Sequence, residues 1–461
     1  MPPQPTSTDP LSIPPTGHLT WRQADQAEKT RRTLVRAEGV YLYYDDGTRH
    51  IDASGGPVAV GVGHGREEIA RAAYDQMRQV AYGFEVDAVR RLFSMLRAFT
   101  PGDLNRFYPC SGGSEAVEAA LRFARHYHVL TGRPSKHKVI ARWVSYHGNT
   151  LGAASLSGSV PRRRVIDPML IPFPHVEPCY CYRCPFGRVY PECEVLCAEK
   201  LEETILREGP DTVAAFIAEP IVGATAGCLL PPPDYFPRVR AICDRYDVLF
   251  IADEVMTGFG RTGRNFAIEH WNVLPDLMTM AKGLTSGYIP MGMLAVRETL
   301  MSPAEPRVTD FGNILTYSYH PVAAAVACAV LDILNREGLV ERSRWLGGYL
   351  LERLRPLARH PLVGDIRGLG LFAGVELVRD RATGEPFPVA SGVAERVLRA
   401  CRRRGVALYS GAGMIGGTHG DHVMISPPFI VTEAQIDEIV AALSEALDEV
   451  AAELTVAAAT P

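Results

Sequence analysis

Val248-Leu249-Phe250-Ile251-Ala252-Asp253-Glu254-Val255 decides the fold class of this chain. Five apolar residues in succession predict a strand buried on both faces, as in a parallel sheet covered by helices. The run ends in an acid. In open α/β sheets, ligands sit beyond the carboxyl ends of the strands, so Asp253 is placed to touch one. Further on, Ala281-Lys282-Gly283 follows the apolar run Leu277-Met278-Thr279-Met280. A Lys between small residues can project into a cleft while its backbone lies close to a neighbour.

Outward from this stretch the pattern repeats. Val139-Ile140-Ala141, Val213-Ala214-Ala215-Phe216-Ile217-Ala218 and Met293-Leu294-Ala295-Val296 are further strand candidates, and Phe236, Val239, Ile242 and Tyr246 recur at helical spacing between two of them. Alternation of strand and helix predicts an α/β layer with a mostly parallel sheet. Toward the N-terminus, Val40-Tyr41-Leu42-Tyr43, the turn Asp45-Asp46-Gly47 and Arg49-His50-Ile51-Asp52 predict a small antiparallel hairpin. A Gly-rich passage from Ser54 to Gly65 then leads into a helix near Arg66. Beyond about residue 335 the texture changes. Leu369-Gly370-Leu371-Phe372-Ala373-Gly374-Val375-Glu376-Leu377 and Val423-Met424-Ile425-Ser426 predict strands of a smaller lobe. Thr432 and Gln435 form a capping-box pattern, and the helix they open carries Ile436, Ile439, Val440, Leu443 and Leu447 on one stripe.

The totals bound the function. At 461 residues the chain is long for one core, so two lobes are expected. A net charge of −4 without a basic block argues against nucleic-acid binding as the main activity. No apolar run is long enough for a membrane span. Residues 1–17 are rich in Pro, Ser and Thr and lack an apolar core, which reads as a flexible arm rather than a signal peptide. A cytoplasmic protein with reduced cysteines is the expectation.

Several short motifs carry candidate chemistry. Cys110-Ser111-Gly112-Gly113-Ser114-Glu115-Ala116 follows a possible strand at residues 106–108 and opens an Ala-rich helix. Adjacent glycines and the free N–H groups of a helix N-terminus suit a phosphate, which assigns Gly113 and Ser114 to one. Tyr146, in Ser145-Tyr146-His147-Gly148, stands where an aromatic can stack on a flat ligand, or simply pack. Glu219, before Pro220, closes another strand and can hydrogen-bond within the site or act as a structural cap. With Lys282 and Asp253, these residues match the needs of pyridoxal 5'-phosphate. A Lys amine holds its aldehyde as a Schiff base and later shuttles a proton, while a carboxylate keeps its ring nitrogen protonated. Lys282, Asp253 and Tyr146 are the candidate catalytic residues.

Gly113-Ser114-Glu115-Ala116, Tyr146-His147-Gly148, Glu219-Pro220, Asp253-Glu254-Val255 with Gly258-Phe259-Gly260-Arg261-Thr262-Gly263, Ala281-Lys282-Gly283 and Thr316-Tyr317-Ser318 stand in the order seen in class III aminotransferases. Over residues 20–455 the chain resembles that family, and most closely its omega-amino acid and amine transaminase branch. The resemblance implies a fold-type I pyridoxal-phosphate enzyme with a large domain over 76–334 and a small domain formed by 18–75 and 335–461. It implies that Val255 packs on the cofactor ring opposite Tyr146. Thr316 would reach the phosphate of the other subunit in a homodimer with shared active sites. The implied activity is transfer of an amino group from a primary amine or omega-amino compound to a 2-oxo acid such as pyruvate. An aminomutase or racemase on the same scaffold is the alternative, and a non-catalytic binding protein a more distant one.

Departures from the family pattern bear on substrate. Relatives that use 2-oxo acids often carry a mobile Arg ahead of a Gly-Asp-His tripeptide, here Gly420-Asp421-His422, but no Arg lies between Gly405 and Phe429. Ala224 stands where 4-aminobutyrate transaminases have a Glu, Met424 near the position of their Arg, and Val58 where amine transaminases have a Trp. A pocket with fewer charges follows, with Trp21, Tyr82 and Phe84 as candidate walls and an amine donor that needs no carboxylate. The exception would be a clamp supplied by Arg162, Arg163 or Arg164. Finally, Cys181, Cys184, Cys193 and Cys197, with Cys179 just ahead, have the spacing of a structural zinc site. A loop of free thiols is the competing reading. A chain of this length needs no metal staple, and no metal is assigned.

Overall fold

A computed structural model describes residues 32–301 and 314–459. The arm at 1–17 and Trp21 lie outside them. A seven-stranded sheet forms the centre, in the order Leu104–Cys110, Gly292–Arg297, Leu277–Met280, Leu249–Asp253, Val213–Ala218, Lys138–Arg142, His175–Val176. Only Gly292–Arg297 runs antiparallel to its neighbours. The other four pairings are parallel, as the strand–helix alternation predicts.

The apolar runs are continuous because the sheet is covered on both sides. Every residue of Val213–Ala218, Leu249–Asp253 and Leu277–Met280 is buried. Successive residues of a strand point to opposite faces, and the core divides accordingly. Phe216, Phe250, Ala252 and Met278 join Phe236, Val239 and Ile242 of the helix Tyr235–Arg245. Ala215, Ile217, Leu249, Ile251 and Leu277 join Val117, Ala120, Phe123 and Ala124 of the helix Gly113–Leu130. Asp253 follows Ile251 by two positions and so faces that second helix.

Two smaller sheets flank this layer. The hairpin strands Tyr41–Tyr44 and Arg49–Asp52 form as expected, extended by Leu34–Glu38 on one side. On the other side Val406 and Ala407 pair in parallel with Ile51 and Asp52, which ties the N-terminal hairpin to the C-terminal third of the chain. An antiparallel sheet holds Val363–Gly368, Ala373–Asp380, His419–Ile425 and Tyr409–Ile415. The expected strand from Leu369 therefore begins only at Ala373. The cause is Gly370, at φ +60° in a turn that packs against Thr262 and Gly347, where a Cβ would clash with backbone. The capping box is present: Thr432 N–H donates to Gln435 Oε1 at 2.9 Å, and Gln435 N–H to Thr432 Oγ1 at 3.2 Å. The helix it opens buries Ile436, Ile439, Val440, Leu443 and Leu447. Among the described residues, no helix is long and apolar enough to cross a membrane.

Candidate active site

The site is built at the carboxyl end of Leu249–Asp253. The ladder places Asp253 opposite Thr279 of the next strand, and the Thr279 hydroxyl donates to Asp253 Oδ1 at 3.0 Å. The backbone N–H of Val255 donates to the same oxygen at 3.2 Å. On the other oxygen, Oδ2, the imidazole Nδ1–H of His147 donates at 2.6 Å. Both side chains are buried. A carboxylate gripped from three directions has a fixed orientation. His147 Nε2 is buried and has no hydrogen-bond partner among the described residues.

Lys282 follows the strand Leu277–Met280 at φ +39°, a strained value for a residue with a side chain. Its neighbour Gly283 packs closely, since a Cβ there would lie 3.0 Å from Cβ of Phe259 and push on it. Burial pushes the Lys282 ammonium down to about 8, against the opposing pull of Glu219 and Asp253. Its amine makes no hydrogen bond or ion pair to any described residue.

The helix Gly113–Leu130 brings its N-terminus to the same place. A Cβ on Gly113 would lie 3.0 Å from the Val255 side chain and 3.6 Å from that of Ala281. Glycine there lets helix, strand end and Lys282 loop meet without displacing the Val255 side chain. Ser114 Oγ accepts from the N–H of Asn149 at 3.1 Å, and Gly148, at φ +136°, leaves room for that hydroxyl. Among the described residues, the N–H groups of Gly113, Ser114 and Glu115 have no carbonyl partner. Beyond Gly112 a Cβ would meet nothing within 4 Å, so the turn opens onto free space.

Glu219 is buried, and burial raises its carboxyl above the usual range. Its Oε1 accepts from the backbone N–H of Tyr146 at 2.9 Å and its Oε2 from that of Gly223 at 3.2 Å. It thus fixes the loop that carries the half-buried Tyr146 ring. The guanidinium of Arg162 lies over that ring, 4.3 Å from its centroid.

Asp253, Lys282, Glu219, Tyr146, Val255, Gly113 and Ser114 are therefore neighbours. Thr316 is not among them. It is exposed, and its carbonyl accepts from the Tyr82 hydroxyl at 2.9 Å. Sequence reasoning gave no role to Thr279 or His147. For Thr279 a signal existed: it is the one polar residue in the run Leu277–Met280. Five cysteines, Cys179, Cys181, Cys184, Cys193 and Cys197, line one small cavity of ≈ 20 Å³ away from this site. All are free thiols. Among the described residues, no three His, Cys, Asp or Glu side chains are arranged to hold a metal ion.

Residues 23–447 match the family model for aminotransferase class-III. Putrescine–pyruvate aminotransferase of Pseudomonas aeruginosa is 40% identical over 92% of this chain and 92% of its own. An (S)-enantioselective omega-transaminase from Thermomicrobium roseum superposes with a TM-score of 0.85 at 38% identity, over 92% of this chain and 93% of that one. An amine transaminase from an uncultivated Pseudomonas species, solved with pyridoxal phosphate bound, gives a TM-score of 0.87 at 34% identity, over 94% and 98% of the two chains.

Proposed function

This chain belongs to the class-III aminotransferase family of pyridoxal-phosphate enzymes, and we propose that it moves an amino group from a primary amine or omega-amino compound to a 2-oxo acid, pyruvate first among them. The observation that carries the reading is the Lys282 amine, pushed down to about 8 and without a hydrogen-bond partner among the described residues, beside the gripped carboxylate of Asp253.

The residues fit the cofactor. Lys282 would hold its aldehyde carbon and Asp253 its ring nitrogen. Gly113 and Ser114 would bind its phosphate at the helix N-terminus. Tyr146 and Val255 would cover its two ring faces. When bound, pyridoxal phosphate supplies an electron sink for the carbon from which a proton is removed. The chain supplies the rest. The Nζ of Lys282, once freed, would accept and give back that proton, a role that its lowered pKa favours near neutral pH. His147 and Thr279 keep Asp253 aimed at the ring nitrogen. Glu219 keeps Tyr146 in place by holding its backbone N–H.

The reading includes a homodimer, in which Thr316 reaches the phosphate of the other subunit. The exposure of Thr316 and of the neighbouring Ile314 and Tyr317 supports a partner there. It also includes a large domain over 76–334, a small domain of 18–75 with 335–461, and a cytoplasmic setting. The test is direct. The purified protein should be yellow and form one alanine from pyruvate for each amine consumed. Lys282→Ala should abolish both the colour due to bound cofactor and turnover. Near wild-type turnover in that variant would refute the assignment.

A further inference from the structure

The acceptor in this reaction carries a carboxylate, yet the segment from Gly405 to Phe429 contains no Arg to receive it. A cation is available elsewhere. The four-residue helix Val160–Arg163 and the residue after it bring three arginines to one edge of the site. Arg163 is tied down: its Nε donates to Asp167 at 3.1 Å, and one terminal nitrogen donates to the carbonyls of Ser157 at 2.8 Å and Ser155 at 3.2 Å. Arg164 is exposed and donates at 3.4 Å to the carbonyl of Gly417.

Arg162 differs from both. It has no carboxylate partner among the described residues. Its guanidinium lies over the Tyr146 ring, 4.3 Å from the centroid. Its charge is felt by Lys282 and by His422. The nearby acids are already engaged. Both oxygens of Glu219 accept backbone N–H groups, and both of Asp253 are taken by His147, Thr279 and Val255. Burial holds His422 neutral. A stacked guanidinium is oriented by the ring beneath it and keeps donors on its edge for a planar, two-oxygen partner. A cation left unpaired in a half-buried site is complementary to an anion that arrives with the substrate.

We infer that Arg162 binds the carboxylate of the 2-oxo acid acceptor. This rests on the transaminase reading above and names a specificity-determining residue within it. One guanidinium serves one carboxylate, so the fitting acceptor class is the short monocarboxylic 2-oxo acid. The donor amine, which brings no carboxylate, leaves Arg162 on Tyr146.

Two measurements on the holoenzyme test this, one of them independent of turnover. Propionate and uncharged propionamide are titrated into wild type, Arg162→Met and Arg162→Lys, with the absorption of the bound cofactor as readout. Propionate should bind Arg162→Met at least roughly 10-fold more weakly than wild type, with partial recovery in Arg162→Lys, while propionamide binding changes little. In steady state, the KM for pyruvate should rise by roughly 10- to 100-fold in Arg162→Met, far more than the KM for propanal, which lacks the carboxylate. Equal losses for propionate and propionamide, or for pyruvate and propanal, would overturn the assignment and reduce Arg162 to a support for Tyr146. Failure of wild type to exchange amino groups would instead sink the transaminase reading, and the propionate titration would still decide the role of Arg162.

Discussion

Asp253 shows how little of a functional residue lies in its own side chain. Its position at a strand end is written in the apolar run before it. Its orientation comes from Thr279, His147 and the N–H of Val255. Asp253→Asn keeps the size and most of the contacts but removes the negative charge. It should still bind the cofactor and slow proton removal by a factor of order 100 or more, read as a single-turnover rate. An unchanged rate would remove Asp253 from the mechanism. Lys282 gives a pH signature. Only the neutral amine attacks an aldehyde, and burial brings its pKa to about 8. The rate at which apoprotein takes up cofactor should therefore rise with pH and level off above about 8, rather than continue to rise toward the range of an exposed Lys. Asp253 and Lys282 were legible in the sequence because each ends an apolar run between small or acidic neighbours. The role of Arg162 was not. Pro161-Arg162-Arg163-Arg164 offers three equal cations, and only the fold shows that two are engaged elsewhere.

At the scale of elements, the parallel strands were readable because burial on both faces leaves a run of apolar residues without alternation. Direction was not readable. Gly292–Arg297 is as apolar as its neighbours yet antiparallel to both, since the connection that sets its direction leaves no mark on the strand itself. Nor did the sequence reveal the turn at Gly370, where an apolar run continues through a left-handed glycine. The loop after Leu249–Asp253 holds a further titration. Glu254 is buried, accepts the N–H of Ile268 at 2.7 Å and the hydroxyl of Thr257, and burial raises its carboxyl to about 7. The folded state therefore keeps a proton that the unfolded chain has released. Between the ordinary value of 4.5 and about 7, the unfolded state binds fewer protons, so this group makes stability fall as pH rises. Glu254→Gln keeps the shape and an acceptor for Ile268 but cannot ionise. Relative to wild type, it should gain stability as pH rises through that window and level off above it, measured as the difference in urea midpoints. A constant difference across the window would show that Glu254 does not titrate there.

At the scale of the whole molecule, length alone raised the expectation of two lobes, but not which side chains tie distant segments of the chain together. One such tie is Arg261, which sequence reasoning used only as part of a Gly-rich motif. It is fully buried and sits 4.5 Å from the centroid of the Phe429 ring. Its guanidinium donates to the carbonyls of Val60, Leu371 and Pro427 at 3.0, 3.0 and 2.7 Å. These carbonyls come from the Gly-rich N-terminal passage, the turn before Ala373–Asp380 and the segment after His419–Ile425. Burial pushes Arg261 down to about 9, the signature of a cation held by carbonyl dipoles rather than by a carboxylate. Replacing it with Met removes the cost of burying a charge but leaves three carbonyls without donors, each worth about 1–3 kcal/mol. The losses outnumber the relief, so Arg261→Met should destabilise the fold by about 3 kcal/mol. The loss should also be local before it is global. Amide exchange should rise most at residues 58–62, 369–373 and 426–431, and least in the strands Val213–Ala218 and Leu249–Asp253. A uniform rise across the chain would show instead that Arg261 only contributes to overall stability. No change at the three segments would show that their other contacts hold them without it.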